Sequence, residues 1–148
     1  MTGIEQLAAR MRRIAARLEK ADGAAVVYGI RDVPHYSGMS AAELAAILFR
    51  GTRDGRIPAR DFFADAEDEI RRQAPQLCRR AARRIIRGLT VRQALEPLRA
   101  FCEDAIRDSM DNFKIPPNAP STIRRKGRDD PLDDTGDLID AAGAEIET

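Results

Sequence analysis

Residues 64–106 read ADAEDEIRRQAPQLCRRAARRIIRGLTVRQALEPLRAFCEDAI, and this stretch decides the fold because it holds two helical patterns around one turn. Apolar residues in its first part recur every three or four positions: Ala66, Ile70, Ala74, Leu77, Ala81 and Ile85. That spacing places them on one face of a helix over residues 64–87. Pro75 lies inside the pattern and predicts a kink or a break there.

The second helical pattern begins after a short turn. Gly88 ends the first helix and Thr90 caps the next one, which is predicted over about residues 90–112. Its inward-facing residues are predicted to be Val91, Leu95, Leu98, Phe101, Ala105 and Ile106. Pro97 lies within this pattern and predicts a kink. Two helices joined by so short a turn must run antiparallel, so the stretch predicts a helical hairpin.

Residues 4–20 predict an amphipathic helix before the hairpin, with an apolar stripe and an opposite basic face. Thr2 and Glu5 have the spacing of a capping box, and Asp22 with Gly23 provides the stop. The stripe consists of Ile4, Leu7, Met11, Ile14 and Leu18. The basic face consists of Arg10, Arg12, Arg13, Arg17 and Lys20.

The segment between this helix and the hairpin has mixed character. Residues 24–30, AAVVYGI, are rich in β-branched and aromatic side chains and predict a strand. Ser40 caps a short helix over residues 41–49, AAELAAILF, which Gly51 ends. Residues 52–63 contain glycine and proline and predict a loop that leads into an extended piece.

The composition limits the class of protein. A chain of 148 residues fits one domain, residues 1–148, with its own core. A net charge of +1 argues against a surface built entirely for DNA, and the absence of Trp argues against an aromatic-lined sugar or base-stacking site. No apolar run approaches the ~18 residues that span a membrane. The start, MTGIEQLAARMRR, lacks a hydrophobic signal region, so we expect a protein made in the cytoplasm.

Few residues of this chain suit catalysis or metal binding. Cys78 and Cys102 with a single histidine are too few soft ligands for zinc, and we expect both cysteines to be buried free thiols. His35 has Asp32 and Ser37 near it in sequence only, which does not make a catalytic arrangement. We therefore expect no cofactor, no metal ion and no small-molecule substrate.

The strongest charge feature is residues 71–92, RRQAPQLCRRAARRIIRGLTVR, which hold eight arginines and no acid. Four of them are expected to spread around the exposed sides of the helix and not along one line: Arg72, Arg79, Arg83 and Arg87. Three interpretations stay open. The arginines pair with acids of residues 65–69 and 103–111, or contact another subunit, or bind nucleic-acid phosphates in a small basic nucleic-acid-binding module.

Residues 118–138, NAPSTIRRKGRDDPLDDTGDL, differ from the rest of the chain. Basic and acidic blocks stand side by side: Arg124, Arg125, Lys126 and Arg128, then Asp129, Asp130, Asp133 and Asp134. The segment lacks the spacing of a nucleotide phosphate-binding loop or a calcium loop. Ser121 and Thr135 are placed to cap short helices, and apolar anchors such as Leu132 and Leu138 indicate an arm that folds onto its own body or onto a neighbour.

The pattern PPNAPSTIRRKGRDDPLDDTGDL, residues 116–138, resembles the C-terminal signature of the head–tail connection proteins of tailed bacteriophages. These are neck and tail-completion proteins, often described as minor tail or virion morphogenesis components. The matching positions are Pro116-Pro117, Ser121-Thr122, Lys126-Gly127, Pro131-Leu132 and Thr135-Gly136-Asp137-Leu138.

A second stretch, MSAAELAAILFRGTRDGRIPARDFF at residues 39–63, resembles the short helix, Gly-Thr turn and Ile-Pro-x-Arg-x-Phe entry of the same family. The entry positions here are Ile57, Pro58, Arg60 and Phe62. With the hairpin between them, the resemblance covers about residues 24–142. Residues 139–148 are poorer in β-branched and aromatic side chains than the family's final strand, so a strand there stays open.

The resemblance implies an α+β fold. A small antiparallel sheet is packed by the N-terminal helix and the long antiparallel helical hairpin, and an extended C-terminal arm covers residues 116–148. It also implies a non-enzymatic virion protein at the neck or tail of a tailed phage, which forms a ring with copies of itself. Its further partners are head–tail connector, tail-terminator or tail-tube proteins, and the arginines are candidates for contact with DNA in the lumen.

The resemblance and the charge pattern together give a set of candidate interface residues. These are Ile57, Arg60, Phe62, Arg124, Arg125, Lys126, Asp129, Asp130, Asp133 and Asp134. Our hypothesis is that the opposite-sign blocks of the arm pair between adjacent subunits. The structural anchors of the arm are predicted to be Pro117, Gly127, Leu132, Thr135, Gly136 and Leu138.

Overall fold

The computed structural model describes residues 2–132 and 136–148. The elements along these residues are α1 (Gly3–Glu19), β1 (Ala25–Ile30), α2 (Ala41–Arg50), α3 (Ala64–Arg87), α4 (Val91–Asp111), α5 (Pro120–Lys126), α6 (Asp137–Asp140) and β2 (Ala142–Glu147). The fold is α+β, as the resemblance implied, and the predicted bounds of α1 to α4 and β1 are confirmed to within one residue. No helix among the described residues is both long enough and apolar enough to cross a membrane.

α3 and α4 form the predicted hairpin, and two residues set its turn. Gly88 adopts φ 114°, and its N–H donates to the carbonyl oxygens of Arg84 and Ile85 at 3.1 and 3.0 Å. This left-handed conformation favours glycine because a side chain would meet the backbone there. Thr90 starts α4 with a capping box: its Oγ1 accepts from the N–H of Gln93 at 3.2 Å, and its own N–H donates to Gln93 Oε1 at 3.1 Å.

Neither proline of the hairpin breaks its helix. α3 is continuous through Pro75 and α4 is continuous through Pro97, so the break considered at Pro75 is not found. Both prolines lie on the exposed surface, and each therefore removes a backbone hydrogen bond without displacing a core side chain. The turns next to each proline pack against the other helix, and this packing stabilises the helix by more than the missing hydrogen bond destabilises it.

The centre of the core lies where α4 meets α2, the segment before α3 and the C-terminal arm. Phe62, Ile106 and Met110 are its largest fully enclosed side chains. The ring of Phe49 packs edge-on against Phe62, with ring centroids 5.9 Å apart. Ser109 is also buried, and its Oγ donates to the carbonyl oxygen of Phe62 at 2.6 Å. α4 thus holds the entry to α3 by apolar packing and by a hydrogen bond.

β1 and β2 pair antiparallel, so the first and last strands meet in one sheet, with Ala25 opposite Glu147 at one end. The question left open for residues 139–148 is answered, because most of them form β2. The first three residues of this strand, 142–144, are small. Ala142 and Ala144 are buried, and their short side chains let β2 lie close against α4. The strand depends on pairing and packing more than on its own residue preferences.

Side chains of α4 hold β2 by its backbone. Glu103 Oε2 accepts from the N–H of Ala144 at 3.3 Å, and Arg107 Nη2 donates to the carbonyl oxygen of Ala142 at 3.1 Å. Glu103 also pairs with Arg99 at 2.8 Å and with Arg107 at 2.7 Å. Burial acts to raise the pKa of Glu103, but the hydrogen bond from Ala144 and the two arginines hold it below its usual value. The charged carboxylate is therefore the form that fastens the strand to the helix.

Two placements differ from expectation. Cys102 is buried as predicted, whereas Cys78 is exposed. Cys78 follows Leu77 on α3 and lies about 100° further around the helix than the inward stripe. The N-terminal helix packs on α3, where Arg17 Nη1 donates to the carbonyl oxygen of Ile86 at 3.0 Å, while the sheet packs on α4. α1 therefore supports the hairpin and lies away from the face that carries the sheet.

Replacing Ile106 by alanine tests the described core. The side chain is 0% exposed, so Ile106→Ala leaves a cavity and should lower the free energy of unfolding by about 2–5 kcal/mol. Ile86→Ala removes the same atoms from a side chain that is 39% exposed, and its cost should be about 1 kcal/mol at most. Urea titrations followed by circular dichroism give both values. Equal losses in the two variants would contradict the core assignment.

The two cysteines are expected to differ in reactivity at neutral pH. Burial, and next the neighbouring Cys78, raise the pKa of the Cys102 thiol, so little reactive thiolate is present there. In a colorimetric thiol assay, Cys78 should react quickly in the native protein and Cys102 only after denaturant is added. Cys78→Ser should remove the fast phase. A fast phase that survives in this variant would place Cys102 at the surface.

Candidate partner-binding cleft

The α2–α3 loop and the C-terminal arm face each other across a cleft of about 520 Å³, here called the arm cleft. Seven of the candidate interface and anchor residues line it: Ile57, Arg60, Pro117, Arg125, Lys126, Leu132 and Leu138. The two stretches that carry the family resemblance are therefore neighbours in the fold, although Arg60 and Pro117 are 57 positions apart in the chain.

The first wall of the arm cleft is the loop after α2, which Gly51 turns back on itself. Gly51 ends α2 with φ 71°, and a Cβ at this position would lie 2.7 Å from the Ile57 carbonyl oxygen and the Ala59 nitrogen. Across the reversal, the N–H of Thr52 donates to the carbonyl of Ile57 at 2.9 Å, and the N–H of Ile57 donates to Thr52 Oγ1 at 3.0 Å. The Gly-Thr and Ile-Pro parts of the motif are two sides of one turn.

Arg60 joins the two walls of the arm cleft. The residue is 4% exposed, and its guanidinium donates to the carbonyl oxygens of Pro116 and Pro117, each at 3.4 Å. Burial lowers the pKa of Arg60, and the charge of Asp129 opposes that shift. Among the described residues no carboxylate forms an ion pair with this guanidinium. Two long hydrogen bonds to carbonyl oxygens do not neutralise the positive charge of this buried guanidinium. The charge can therefore attract an anion that enters the cleft.

Asn118, near the start of the arm, also lines the arm cleft. The N–H of Asn118 donates to Asp129 Oδ1 at 2.9 Å, which ties the start of the arm to its acidic block. The side-chain Nδ2 of Asn118 is buried and has no acceptor among the described residues. Such donors are uncommon, because a buried amide without a partner has lost its hydrogen bonds to water. Arg60 and Asn118 together suit a carboxylate or carbonyl oxygen supplied from outside the chain.

Asp130, one acid of the arm's charged blocks, is paired within the chain. Asp130 forms an ion pair with Lys114, and its Oδ2 lies 3.3 Å from Arg128 Nε. Lys126 Nζ donates to the carbonyl oxygen of Asp130 at 3.3 Å. The hydrogen bond from Lys114 is the main reason that the pKa of Asp130 lies below its usual value. Asp130 thus has ion-pair partners within its own chain, and pairing of the two blocks between subunits stays a hypothesis.

The remaining candidate residues have different surroundings. Phe62 is fully buried, so it is a core residue and not an interface residue of the folded chain. Leu132 and Leu138 are also buried, and they fix the arm to the same core. Arg124 is exposed on α5. Three predicted residues lie outside the described ones: Asp133, Asp134 and Thr135.

Two glycines set the course of the arm. Gly127 ends α5 with φ 75°, and its N–H donates to the carbonyl oxygen of Ile123 at 2.8 Å. Gly136 precedes α6 with φ 86°. Ser121 is not the predicted cap, because α5 begins at Pro120 without a side-chain cap. Proline suits this first position since it has no N–H that would need a partner.

The acid partners expected for the arginines of α3 are only partly present. Arg71 pairs with Asp68 at 3.4 Å and Arg72 pairs with Glu69, both within the same helix. Glu103 of α4 is engaged by arginines of its own helix. From position 79 onward, the arginines of α3 form no ion pair with any described residue: Arg79, Arg80, Arg83, Arg84 and Arg87.

His35 makes a contact that its sequence spacing did not reveal. Its Nδ1 lies 2.9 Å from Ser37 Oγ and accepts from the N–H of Ser37 at 3.2 Å. These bonds stabilise a turn that places His35 and Tyr36 in the lining of the arm cleft. Within residues 2–132 and 136–148, no group of three His, Cys, Asp or Glu side chains is placed to hold a metal ion.

Arg60→Met tests whether the guanidinium pins the arm. The substitution keeps apolar bulk but removes both hydrogen bonds, a loss of roughly 1.5–3 kcal/mol, so amide exchange in residues 113–127 should become about ten-fold faster or more. Arg56→Met is the control, because Arg56 lines the same cleft with a side chain that is 87% exposed. Hydrogen exchange read by mass spectrometry compares the two. Unchanged exchange in Arg60→Met would mean that the apolar anchors alone hold the arm.

No family model, curated protein or solved structure matches this chain. The candidate site therefore rests on its own contacts. These are a buried guanidinium, a buried amide donor without an acceptor among the described residues, and two walls built from distant parts of the sequence.

Proposed function

We propose that this chain is a non-enzymatic structural protein of a phage virion, forming a ring at the neck or tail-completion position that joins head to tail. The resemblance of residues 39–63 and 116–138 to head–tail connection proteins supports the proposal, and both stretches contribute to the arm cleft. Its partners are further copies of the chain and the connector, tail-terminator or tail-tube proteins beside the ring.

The observation that carries this proposal is the uncovered apolar stripe of α1. Ile4 is 81%, Leu7 58% and Met11 57% exposed, and no residue of α1 is buried. Such side chains gain about 1.5–3 kcal/mol each when they are fully removed from water. An amphipathic helix that leaves its apolar stripe in water is typical of a surface that another protein covers.

A closed ring of identical subunits needs two different surfaces on each copy. The stripe of α1 supplies the first. A second group of exposed apolar side chains lies between β1 and α2, at Val33, Tyr36 and Met39. Because the two surfaces belong to different elements, contact between them on adjacent copies is heterologous, and a heterologous contact closes a ring when its rotation closes.

The arm cleft provides a polar contact for the same assembly. Its buried Arg60 and the amide of Asn118 suit an acidic side chain or a backbone carbonyl from an adjacent protein. A charged hydrogen bond in a half-enclosed cleft is more sensitive to geometry than apolar contact is. The stripe of α1 therefore contributes affinity, and the cleft contributes orientation.

Removing the gene for this chain from its phage tests the proposal. Heads and tails should accumulate unjoined in negative-stain electron micrographs, and the wild-type chain supplied in trans should restore joined particles. Leu7→Asp combined with Met11→Asp should fold, because both side chains are exposed, but should restore joining about ten-fold less often or worse. Circular dichroism of the purified variant checks that it folds.

The matched control combines Gln6→Asp with Arg13→Gln, which lowers the net charge by the same two units at exposed positions off the stripe. This variant should restore joining as well as the wild type does. Joined particles that form without the chain would overturn the proposed function. Full rescue by the stripe variant would instead overturn the role given to α1.

A further inference from the structure

We propose that the exposed side of α3 binds the phosphate backbone of double-stranded DNA without regard to base sequence. Four arginines line one shallow hollow of about 430 Å³ on this side, here called the arginine face: Arg72, Arg79, Arg80 and Arg83. Pro75 and Gln76 complete the lining, which includes no carboxylate. This site is separate from the arm cleft and does not depend on the proposed function.

The arginine face follows from the helical repeat. Arg79 and Arg83 come 7 and 11 positions after Arg72, and at about 100° per residue they return to within about 20° of the same side. The expectation that the arginines spread around the helix is therefore wrong for Arg72, Arg79 and Arg83, whereas Arg87 is turned about 60° from Arg72 and does not line the hollow. With a rise of about 1.5 Å per residue, the face extends about 16 Å along α3.

Most of the charge on the arginine face has no acid beside it. Arg79, Arg80 and Arg83 are exposed and form no ion pair with a described residue, whereas Arg72 is paired with Glu69. Like charges four positions apart on a helix, such as Arg79 and Arg83, repel each other. A polyanion bound along the face removes this repulsion, and its condensed counterions are released as it binds.

The chemistry of the face points to phosphate. A planar guanidinium presents parallel N–H donors that match two phosphate oxygens, and several such groups lie along one line here. A duplex segment about 16 Å long carries about ten phosphate charges, at one per ~1.7 Å. The lining has no aromatic side chain on which an unpaired base could stack, which favours the outside of a duplex over a single strand.

Fluorescence anisotropy with a labelled duplex of roughly 20 base pairs tests this site, because such a duplex is longer than the face. The wild-type chain should bind two unrelated sequences with equal affinity, and the affinity should fall steeply as salt is raised. Arg79→Ala combined with Arg83→Ala should weaken binding by about ten-fold or more. It should also reduce the slope of log affinity against log salt by about two.

Arg50→Ala combined with Arg53→Ala is the control, since it removes the same charge from exposed positions outside the arginine face. It should bind as the wild type does, and circular dichroism should show both variants folded. Absence of binding at low salt would overturn the proposal, as would equal losses in the two variants. Stronger binding of labelled polyglutamate than of DNA, at equal charge concentration, would also overturn it and assign the face to an acidic protein.

Discussion

The inward face of α4, formed by Leu98, Cys102, Ile106 and Met110, is the surface on which most of the fold is packed. α3 packs along it, β1 and β2 lie against it, and the arm reaches the same core through its buried leucines. A polar side chain of α4 also contributes to this packing, because the Glu103 carboxylate accepts a hydrogen bond from the backbone of β2. One helix thus fixes the positions of elements from both halves of the chain.

This arrangement leaves the opposite sides of the structure with surfaces of distinct chemistry. α1 lies on α3 and exposes its apolar stripe, while the outer side of α3 exposes arginines. The arm cleft, held closed on one side by Arg60, offers hydrogen-bond donors. An apolar stripe, a basic face and a polar cleft on one small domain are consistent with the proposed ring subunit.

The helix bounds could be predicted because their signals are local, as at Gly88 and Thr90, which set the hairpin turn through their own backbone and side chain. β2 could not, since its first half is alanine and glycine and its formation depends on pairing with β1 and on packing against α4. The motif identified Arg60 as a candidate residue but did not identify its hydrogen-bond partners. These are backbone carbonyls, which every residue has and which a sequence pattern therefore does not distinguish. The line of arginines on α3, by contrast, follows from spacings of seven and four residues alone.

An electron cryo-microscopy reconstruction of the head–tail junction in the assembled particle tests the central claim most directly. We expect a ring of copies of this chain between head and tail, with the stripe of α1 against a neighbouring protein and the arm cleft filled by a group from an adjacent chain. A junction whose density is complete without this chain, or a ring in which the stripe of α1 faces water, would contradict the proposed function.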